Sequence, residues 1–244
     1  MYAMFKRLYK FYSQQNFEPC LIGIFVNPSY FSRKYLYQGV RKYSKELEGR
    51  ILDFGCGSKP YRKLFTKATE YIGIDFQNTG HDHRKENIDI FYDGKHLPFP
   101  DNSFDAIVCT EVFEHIADVE KIVIELRRVL KTNGRLLLTV PFVYKEHDMP
   151  YDYRRYTMNG IVTLLEDKNF IILSKEKLGN FIETIFQLWA LYMNECFFCN
   201  SKYVNVFVNF FLLSPFIFFG VVLNLLLPKK TSLYIHSIVL CAKL

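Results

Sequence analysis

Aspartate and glycine residues with a regular spacing form the most informative segment of the sequence. In "ILDFGCGSKPY" (51–61), Asp53 comes two residues before Gly55, and Gly57 follows after one further residue. A glycine turn between a strand and a helix lets a ligand approach the backbone closely, and the helix N-terminus favours anions. Asp53 opposes an anionic ligand, because a carboxylate beside a pyrophosphate is unfavourable in a partly desolvated cleft. The turn therefore predicts a site for a cationic ligand.

Pro60 occupies the place of the third glycine in the dinucleotide-binding pattern G-x-G-x-x-G. Proline suits the first turn of a helix but provides less well for close approach of a pyrophosphate. The turn thus disfavours an NAD-dependent oxidoreductase, which is our alternative from a different class of function.

Further acidic residues follow the next two predicted strands. Asp75 ends the second strand, 20 residues after Gly55, where a carboxylate can accept hydrogen bonds from both hydroxyls of a ribose. Asp93 follows the third strand and could accept a hydrogen bond from the amino group of adenine, with the backbone of Gly94 beside it. Phe76 could lie against the adenine face. S-adenosylmethionine is a nucleoside with a sulfonium, an ammonium group and no phosphate, and we predict it as the cofactor.

Short apolar runs that alternate with helical patterns predict an α/β domain. The predicted strands are 50–54, 71–75, 88–92, 104–109, 134–140, 169–175 and 234–242, and the predicted helices are 60–65, 119–130, 158–167 and 180–200. Nearly continuous apolar strands separated by helices indicate a parallel sheet covered on both faces. We expect a helical lead-in at 1–48 and one domain at 49–244, with an apolar helical insertion at 180–228.

Four segments together resemble the class I S-adenosylmethionine-dependent methyltransferases, in particular their small-molecule branch, over about residues 49–175. They are "LDFGCGSKPY", "YIGID", "DGKHLPFPDNSFDAIVCTEVFEHI" and "RVLKTNGRLLLTVPF". The resemblance implies a Rossmann-like α/β/α sandwich with a seven-stranded, mostly parallel sheet whose last strand is antiparallel. The sequence departs from many members at Lys59, where they have a further glycine.

The same resemblance implies roles for individual residues around the cofactor. The turn under the methionine end of the cofactor would consist of Asp53, Gly55, Cys56 and Gly57. Asp75 would bind the ribose and Asp93 the adenine, and Thr110 would form a wall of the methyl site.

Glu111, Glu114 and His115 in "EVFEHI" follow the fourth predicted strand, at the edge of the sheet where the cofactor is expected. If this segment were helical, Glu111 and His115 would share one face. We predict Glu111 as a catalytic residue and His115 as an acceptor-binding residue. We expect no metal ion here, and favour a hydrogen-bonding cluster near the methionine end of the cofactor over a magnesium site.

The loop "PFVYKEHDMPYDYRRYT" (141–157) follows the fifth predicted strand and provides further polar side chains. His147 is the predicted general base, because an imidazole titrates near neutral pH. The predicted acceptor-binding residues are Tyr144, Asp152, Arg154 and Arg155, with the arginines suited to a phosphate or carboxylate. The loop resembles those of methyltransferases from bacterial surface-polysaccharide pathways, which implies a sugar acceptor.

Residues 203–228 contain no charged side chain and are flanked by lysines. Such a length suffices for a transmembrane helix, but a final strand that rejoins the sheet requires both ends of the segment on one side. With Pro215 near its middle, we expect a bent pair of short helices that contacts a membrane surface. Packing against its own domain or against a second copy in a homodimer is the alternative.

The net charge and the cysteine content indicate which binding partners and which cellular compartment to expect. The net charge is +6 over 244 residues, and no long run of Lys and Arg suggests nucleic-acid binding. Six cysteines without a disulfide-like framework, and no recognisable signal peptide, favour a cytoplasmic protein, peripheral on the inner face of the membrane.

These observations lead to one expected function and three alternatives. We expect O-methylation of a sugar, glycan or lipid-linked acceptor near the membrane. Methylation of a lipid-soluble molecule such as a quinone precursor is the alternative within the class. An NAD-dependent oxidoreductase and a non-catalytic cofactor-binding scaffold are the alternatives from other classes.

Overall fold

The computed structural model describes residues 14–77, 87–199 and 201–244, and within them seven strands form one sheet in the order β3-β2-β1-β4-β5-β7-β6. The strands are β1 (Gly49–Phe54), β2 (Ala68–Phe76), β3 (Ile90–Tyr92), β4 (Phe104–Thr110), β5 (Leu130–Pro141), β6 (Phe170–Leu178) and β7 (His236–Lys243). Strand β1 is parallel to β2 and β4, β2 to β3, and β4 to β5, whereas β7 is antiparallel to β5. The predicted fold class, a Rossmann-like sheet with flanking helices and an antiparallel last strand, is confirmed.

The helices in the described residues are, in chain order, α1 (Gly23–Val26), α2 (Tyr30–Tyr43), α3 (Val119–Val129), α4 (Met158–Asp167), α5 (Phe181–Phe197), α6 (Lys202–Val208) and α7 (Ser214–Leu226). In helix α3 the apolar stripe that predicts a helix from the sequence is buried. It consists of Val119, Ile122, Val123, Leu126 and Val129. Asp118 caps this helix by accepting from the Lys121 amide.

The predicted helix at 60–65 is wrong. The chain forms only a 3-10 turn at Arg62–Leu64 before β2 begins at Ala68. A single turn cannot repay the cost of helix nucleation, and the short connection leaves no room to extend it.

The chain divides into two compact units. The first, which we call the helical unit, comprises the residues up to Gln38, residues 143–145 and residues 178–235. The second comprises residues 39–142, 146–177 and 236–244, and we call it the catalytic unit because it contains the predicted catalytic residues Glu111 and His147. The expected lead-in is therefore divided near residue 38, and the apolar insertion groups with its first part. Residues 1–13 of the lead-in lie outside the described residues.

The helical unit does not contain the expected pair of short helices in the apolar segment. Residues 202–226 form one continuous helical run, in which a π-helical turn at Asn209–Leu213 joins α6 to α7. Pro215 lies in the first turn of α7, and the π turn precedes it, so the missing proline N–H does not end the run. Helix α7 packs on α5, where a Cβ added to Gly220 would lie 2.6 Å from Phe186 Cγ.

A buried polar network fixes α5 within the helical unit. The Glu183 side chain has no exposed surface and accepts hydrogen bonds from Tyr35, from Asn180 at 2.7 Å and from Lys34 at 3.1 Å. Asn180 also donates to Asn224 on α7 at 2.7 Å. A buried carboxylate is tolerated because three donors surround it.

The helical unit exposes large apolar side chains on the helical run at 202–226. Asn209–Leu226 is the one span in the described residues that is long and apolar enough to cross a membrane, with a mean hydropathy of 2.0 and 22% of its residues buried. Its exposed side chains include Phe210, Phe211, Phe216, Phe218, Phe219, Leu225 and Leu226. We call this set the aromatic surface.

Candidate functional site

The glycine turn follows β1 at the carboxyl edge of the parallel strands. Gly55 and Gly57 have φ values of +70° and +45°, which residues with a Cβ rarely adopt. A Cβ on Gly55 would lie 2.3 Å from Val112 Cγ2. Both the conformation and the close approach of the segment after β4 therefore require glycine at position 55.

Asp75 is fixed against this turn. Its Oδ2 accepts a hydrogen bond of 2.8 Å from the Gly57 amide, and its Oδ1 accepts one of 2.8 Å from the Phe76 amide. Each carboxylate oxygen has more than one acceptor site, so Asp75 retains capacity for the two hydroxyls of a ribose. The predicted ribose acid and the predicted turn thus lie together.

Asp53 differs from the expected charge at the mouth of the turn. Only 5% of its surface is exposed, and Tyr71 donates a hydrogen bond of 2.8 Å to its Oδ2. Burial raises the pKa of Asp53 to about 7, and the charge of Asp75 adds to the shift. Near neutral pH the buried Asp53 is therefore divided between its neutral and its ionised form. A cation beside it would favour the ionised carboxylate.

The surroundings of Lys59 explain how a lysine fits at the position where the resemblance leads us to expect a further glycine. Its φ of +53° lies in the left-handed region, which accounts for glycine being the common residue at this place. The side chain is buried, and Nζ forms an ion pair of 2.5 Å with Asp89. Gly73 leaves room for this side chain, because a Cβ there would lie 2.1 Å from Lys59 Cε. The ion pair and the space at Gly73 accommodate a lysine where the backbone favours glycine.

Asp93, Gly94 and Phe76 form the next part of the predicted site. Asp93 directly follows β3 and accepts hydrogen bonds from the His96 amide at 2.9 Å and the Lys95 amide at 2.8 Å. These bonds lower the pKa of its exposed carboxyl group. Gly94 has a φ of +80°, and a Cβ there would lie 2.9 Å from the Phe76 ring. The three residues that are predicted to bind the adenine therefore lie next to one another.

Cys56 and Thr110 occupy the expected positions in this edge. Cys56 is buried, and a Cβ on Gly73 would lie 2.6 Å from its Sγ. Burial raises the pKa of the Cys56 thiol, with the charge of Asp53 as a further cause, so the thiol stays protonated. Thr110 ends β4, beside Thr139 of β5. Their contacts with a cofactor stay predictions.

Glu111 and His115 do not share a helix face. Glu111 has a φ of +56°, and its amide donates to the Thr139 carbonyl at 3.1 Å, so a helix cannot begin there. Only a 3-10 turn follows, at Phe113–His115. The Glu111 carboxylate instead lies 2.8 Å from Nδ1 of His236.

His236 is a residue that sequence reasoning left without a role. It begins β7 opposite Pro141, the last residue of β5. The start of an antiparallel strand lies at the same edge as the carboxyl ends of its parallel neighbours. The sequence predicts an antiparallel last strand that begins close to His236. That prediction also indicates that the His236 imidazole lies beside the site.

His115 and His147 come together after β4 and β5. Their ring centroids are 4.7 Å apart, and the planes meet at 81°. His115 Nδ1 lies 3.0 Å from the Tyr151 carbonyl oxygen, and His147 Nδ1 lies 3.3 Å from Asp152 Oδ2. Burial lowers the pKa of His115.

Asp152 and Arg155 bind each other, and their predicted role in holding the acceptor stays a prediction. Arg155 donates to both oxygens of Asp152, at 2.5 and 2.7 Å, and the Asp152 side chain is 1% exposed. Burial alone would raise the pKa of Asp152, but the hydrogen bonds from Arg155 and the His147 amide lower it to about 2. The ion pair therefore positions His147.

Arg154 and Tyr144 have other partners. Arg154 donates to the Ala117 carbonyl at 2.6 Å. Tyr144 belongs to the helical unit, where its hydroxyl lies 3.1 Å from Ser29 Oγ. Acceptor binding by these two residues stays a prediction.

Glu114 is the most unusual carboxylate in the catalytic unit. It has no exposed surface, and neither of its oxygens has a hydrogen-bond partner in the part of the chain that the structure describes. Burial raises its pKa well above the ordinary value, and the charge of Glu111 adds to this. One of its oxygens lies 3.7 Å from Nε2 of His115.

The sequence matches the family model described as "Methyltransferase domain" over residues 52–138. This range includes the glycine turn, Asp75, Asp93 and the "EVFEHI" segment. It ends before the loop that contains His147.

Curated proteins are similar over the same region. An uncharacterized methyltransferase of Bacillus subtilis, YcgJ, is 38% identical over an alignment of 102 positions, and this alignment covers 37% of this chain and 40% of that protein. The demethylmenaquinone methyltransferase of Thermobifida fusca is 31% identical over an alignment of 116 positions, and this alignment covers 43% of this chain and 48% of that protein. The chain thus spans less than half the length of these relatives.

Solved methyltransferase structures share the fold. Phosphoethanolamine N-methyltransferase 2 of Haemonchus contortus, in complex with phosphomonomethylethanolamine and S-adenosylhomocysteine, has a TM-score of 0.55 at 16% identity. The alignment covers 91% of this chain and 56% of that one. At this identity the likeness describes the fold alone.

Proposed function

We propose a function for the whole chain from one premise, that it contains an S-adenosylmethionine-dependent methyltransferase domain. The protein transfers the methyl group to an acceptor hydroxyl of a sugar, glycan or lipid-linked molecule at a membrane surface. The observation that carries the proposal is the edge formed by Gly55, Gly57 and Asp75, at which the Gly57 amide and the Asp75 carboxylate are 2.8 Å apart.

The residues at this edge fit the cofactor. Asp75 would hold the ribose and Asp93 the adenine, while the turn at Gly55 and Gly57 would pass beneath the methionine end. Asp53 lies behind this turn as a carboxyl group with a pKa of about 7. The set contains three carboxylates suited to a nucleoside with positive charge, which is the chemistry the cofactor requires.

When bound, the cofactor supplies a methyl group on a positively charged sulfur, which is already a good leaving group. The protein must therefore align the acceptor and, for a hydroxyl, accept its proton. His147 is the predicted proton acceptor, and Asp152 beside Nδ1 would orient its ring and stabilise its charged form. Glu111 with His236 is a second pair able to hold a proton near the methyl site.

Calorimetric titration of the purified chain with S-adenosylmethionine and with NAD tests the first step. We expect binding of S-adenosylmethionine and none of NAD, because the turn does not favour a pyrophosphate. Asp75→Asn should abolish binding, whereas Glu70→Gln, an exposed carboxylate earlier on β2, should not. Binding of NAD in preference to S-adenosylmethionine would refute the proposal.

Contact with a lipid surface is the second part of the proposal. The aromatic surface places five exposed phenylalanines and two exposed leucines on one helical run, and large exposed apolar patches mark protein or membrane interaction sites. Lys229 and Lys230 are exposed directly after α7, where they would attract anionic headgroups. We propose that the protein is peripheral on the inner face of the cytoplasmic membrane.

Flotation with vesicles tests this contact. We expect the chain to float with phosphatidylglycerol vesicles and less with phosphatidylcholine vesicles, because Lys229 and Lys230 add charge attraction to apolar insertion. The double variant Phe211→Ser/Phe218→Ser should lose flotation. Ile171→Ser, an exposed apolar position on β6, is the matched control. If the chain stays unbound and sediments as a dimer, and Phe211→Ser/Phe218→Ser converts it to a monomer, a second copy covers the aromatic surface instead.

The acceptor class is tested by transfer of a radioactive methyl group to membrane extracts. We expect the label in a lipid-linked sugar that is released to the aqueous phase by mild acid. The name of the similar demethylmenaquinone methyltransferase favours a quinone precursor as the second candidate. Label that stays in an apolar, ultraviolet-absorbing product after acid treatment would support that candidate.

A further inference from the structure

We infer that Glu114, His115 and His147 form a binding site for a divalent transition-metal ion in the catalytic unit. The inference replaces our expectation that the chain binds no metal. The binding site itself does not depend on the proposed function. Its suggested role in acceptor activation does.

The three side chains already have the spacing of metal ligands. One donor atom from each lies within 4.8 Å of the others. His115 Nε2 is 3.7 Å from a Glu114 oxygen. Two ligands at tetrahedral angles around Zn²⁺, each about 2.0–2.1 Å from the ion, are about 3.4 Å apart. A small inward movement of the side chains would therefore close the site around an ion.

Both imidazoles have the orientation that metal-binding histidines require. A ligating histidine usually donates its other ring N–H to a carboxylate or a backbone carbonyl, which fixes the tautomer. Here His115 Nδ1 lies 3.0 Å from the Tyr151 carbonyl and His147 Nδ1 lies 3.3 Å from Asp152. With the proton on Nδ1, the lone pair of each ring lies on Nε2, and each Nε2 is 3.9 Å from Asp148 Oδ2.

Asp152 is itself held in place by Arg155, which donates to both of its oxygens. The chain therefore supplies a carboxylate beside one histidine and an arginine behind that carboxylate. This is the outer support that orients a ligand, and it explains why two charged residues of the loop are committed to each other.

Glu114 provides an independent observation that a cation belongs at this place. It is fully buried, and its two oxygens have no hydrogen-bond partner among the described residues. A buried carboxylate without donors is strongly unfavourable unless a proton or a cation neutralises it. An ion between Glu114 and the two Nε2 atoms would give the Glu114 carboxylate the partner that it lacks among the described residues.

Asp148 marks the open side of the cluster. Its Oδ2 lies 3.9 Å from Nε2 of His115 and 3.9 Å from Nε2 of His147. The Asp148 side chain is 34% exposed, so this side faces solvent while Glu114 closes the other. Asp148 could bind the ion directly or through water, and a further position would remain for an acceptor hydroxyl.

The donor set selects the class of metal. Two imidazoles and a carboxylate suit Zn²⁺, Mn²⁺, Fe²⁺ or Co²⁺, whereas Mg²⁺ and Ca²⁺ prefer oxygen ligands throughout. A hydroxyl bound to such an ion loses its proton more readily, because the ion stabilises the oxyanion. His147 would then be a metal ligand and not the general base, and the pair of Glu111 and His236 would accept the proton that the hydroxyl loses.

The test uses the full chain after removal of metals by a chelator. Calorimetric titration with MnCl₂ should show one ion per chain, and Mn²⁺ avoids adventitious binding to the free cysteines. After loading with CoCl₂, absorption bands in the visible range should report histidine ligation. His115→Ala and Glu114→Gln should each weaken Mn²⁺ binding at least about 10-fold. His96→Ala, whose side chain is 82% exposed, should leave it unchanged.

Titration of every variant with S-adenosylmethionine separates the two proposals. Metal binding that His115→Ala abolishes would support the inference even if S-adenosylmethionine did not bind and the proposed function failed. A chain that binds S-adenosylmethionine but takes up no Mn²⁺ or Co²⁺ would overturn the inference alone. Binding that is equal in His115→Ala, Glu114→Gln and the unchanged protein would also overturn it.

Discussion

At the scale of single residues, Asp53 makes the cofactor edge sensitive to pH. Burial raises the pKa of this carboxyl group to about 7, so the folded chain holds its proton more tightly than the unfolded chain does. The neutral form is the stabilising one. Its contribution is fully present below the unfolded pKa and is lost as the pH rises through about 7.

We predict that S-adenosylmethionine binds more tightly as the pH rises from about 5.5 to about 7, because a cation favours the ionised carboxylate. Calorimetry in two buffers of different ionisation enthalpy should show proton release on binding near neutral pH. Asp53→Asn should remove most of this release. Equal pH dependence in Asp53→Asn and the unchanged chain would exclude Asp53 as its source.

Gly55 is the residue least able to change. We predict that Gly55→Ala lowers the free energy of unfolding by about 1–3 kcal/mol and abolishes cofactor binding, because the residue has a positive φ and faces Val112. Denaturant unfolding measures the first effect and calorimetry the second. The double variant Gly55→Ala/Val112→Ala removes the clash but retains the backbone strain. It should recover only part of the stability, and full recovery would show that the φ value is unimportant.

At the scale of elements, apolar runs, the glycine turn and Asp75 were readable because each depends on local chemistry. The seven strands appear where the sequence predicts them, and the helix at 119–130 is confirmed as α3. The pairing of Asp152 with Arg155 was not readable, because a charged loop residue shows its partner only when the loop is folded. The left-handed φ of Lys59 was hidden for a similar reason, since Asp89 and Gly73 are distant in sequence.

The contact between α5 and α7 yields a prediction of its own. Gly220→Val should destabilise the helical unit by about 1–3 kcal/mol, because the added atoms meet Phe186. Thermal unfolding followed by circular dichroism measures the loss. The compensating double variant Gly220→Val/Phe186→Ala makes room and should be less destabilised than Gly220→Val combined with Phe219→Ala. No difference between the two would mean that Phe186 does not limit the packing.

At the scale of the whole molecule, the division into two compact units predicts two separable activities. Phe211→Ser/Phe218→Ser lies in the helical unit and should leave the affinity for S-adenosylmethionine within about 2-fold of the unchanged chain, because substitutions that share no partners are usually independent. Asp75→Asn lies in the catalytic unit and should leave vesicle flotation unchanged. Loss of cofactor affinity in the first variant, with the fold intact by circular dichroism, would contradict this independence.

The strand order also determines what must happen while the protein is made. Strand β7 lies between β5 and β6, so β6 has no neighbour on that side until residues 236–243 have left the ribosome. The apolar run at 202–226 emerges earlier, while the sheet still lacks its antiparallel strand β7. During translation an apolar helix and an unpaired strand edge are therefore exposed at the same time. A chain in this state is prone to aggregation. Early capture of the nascent helix by a bilayer or a chaperone would protect the chain during this interval.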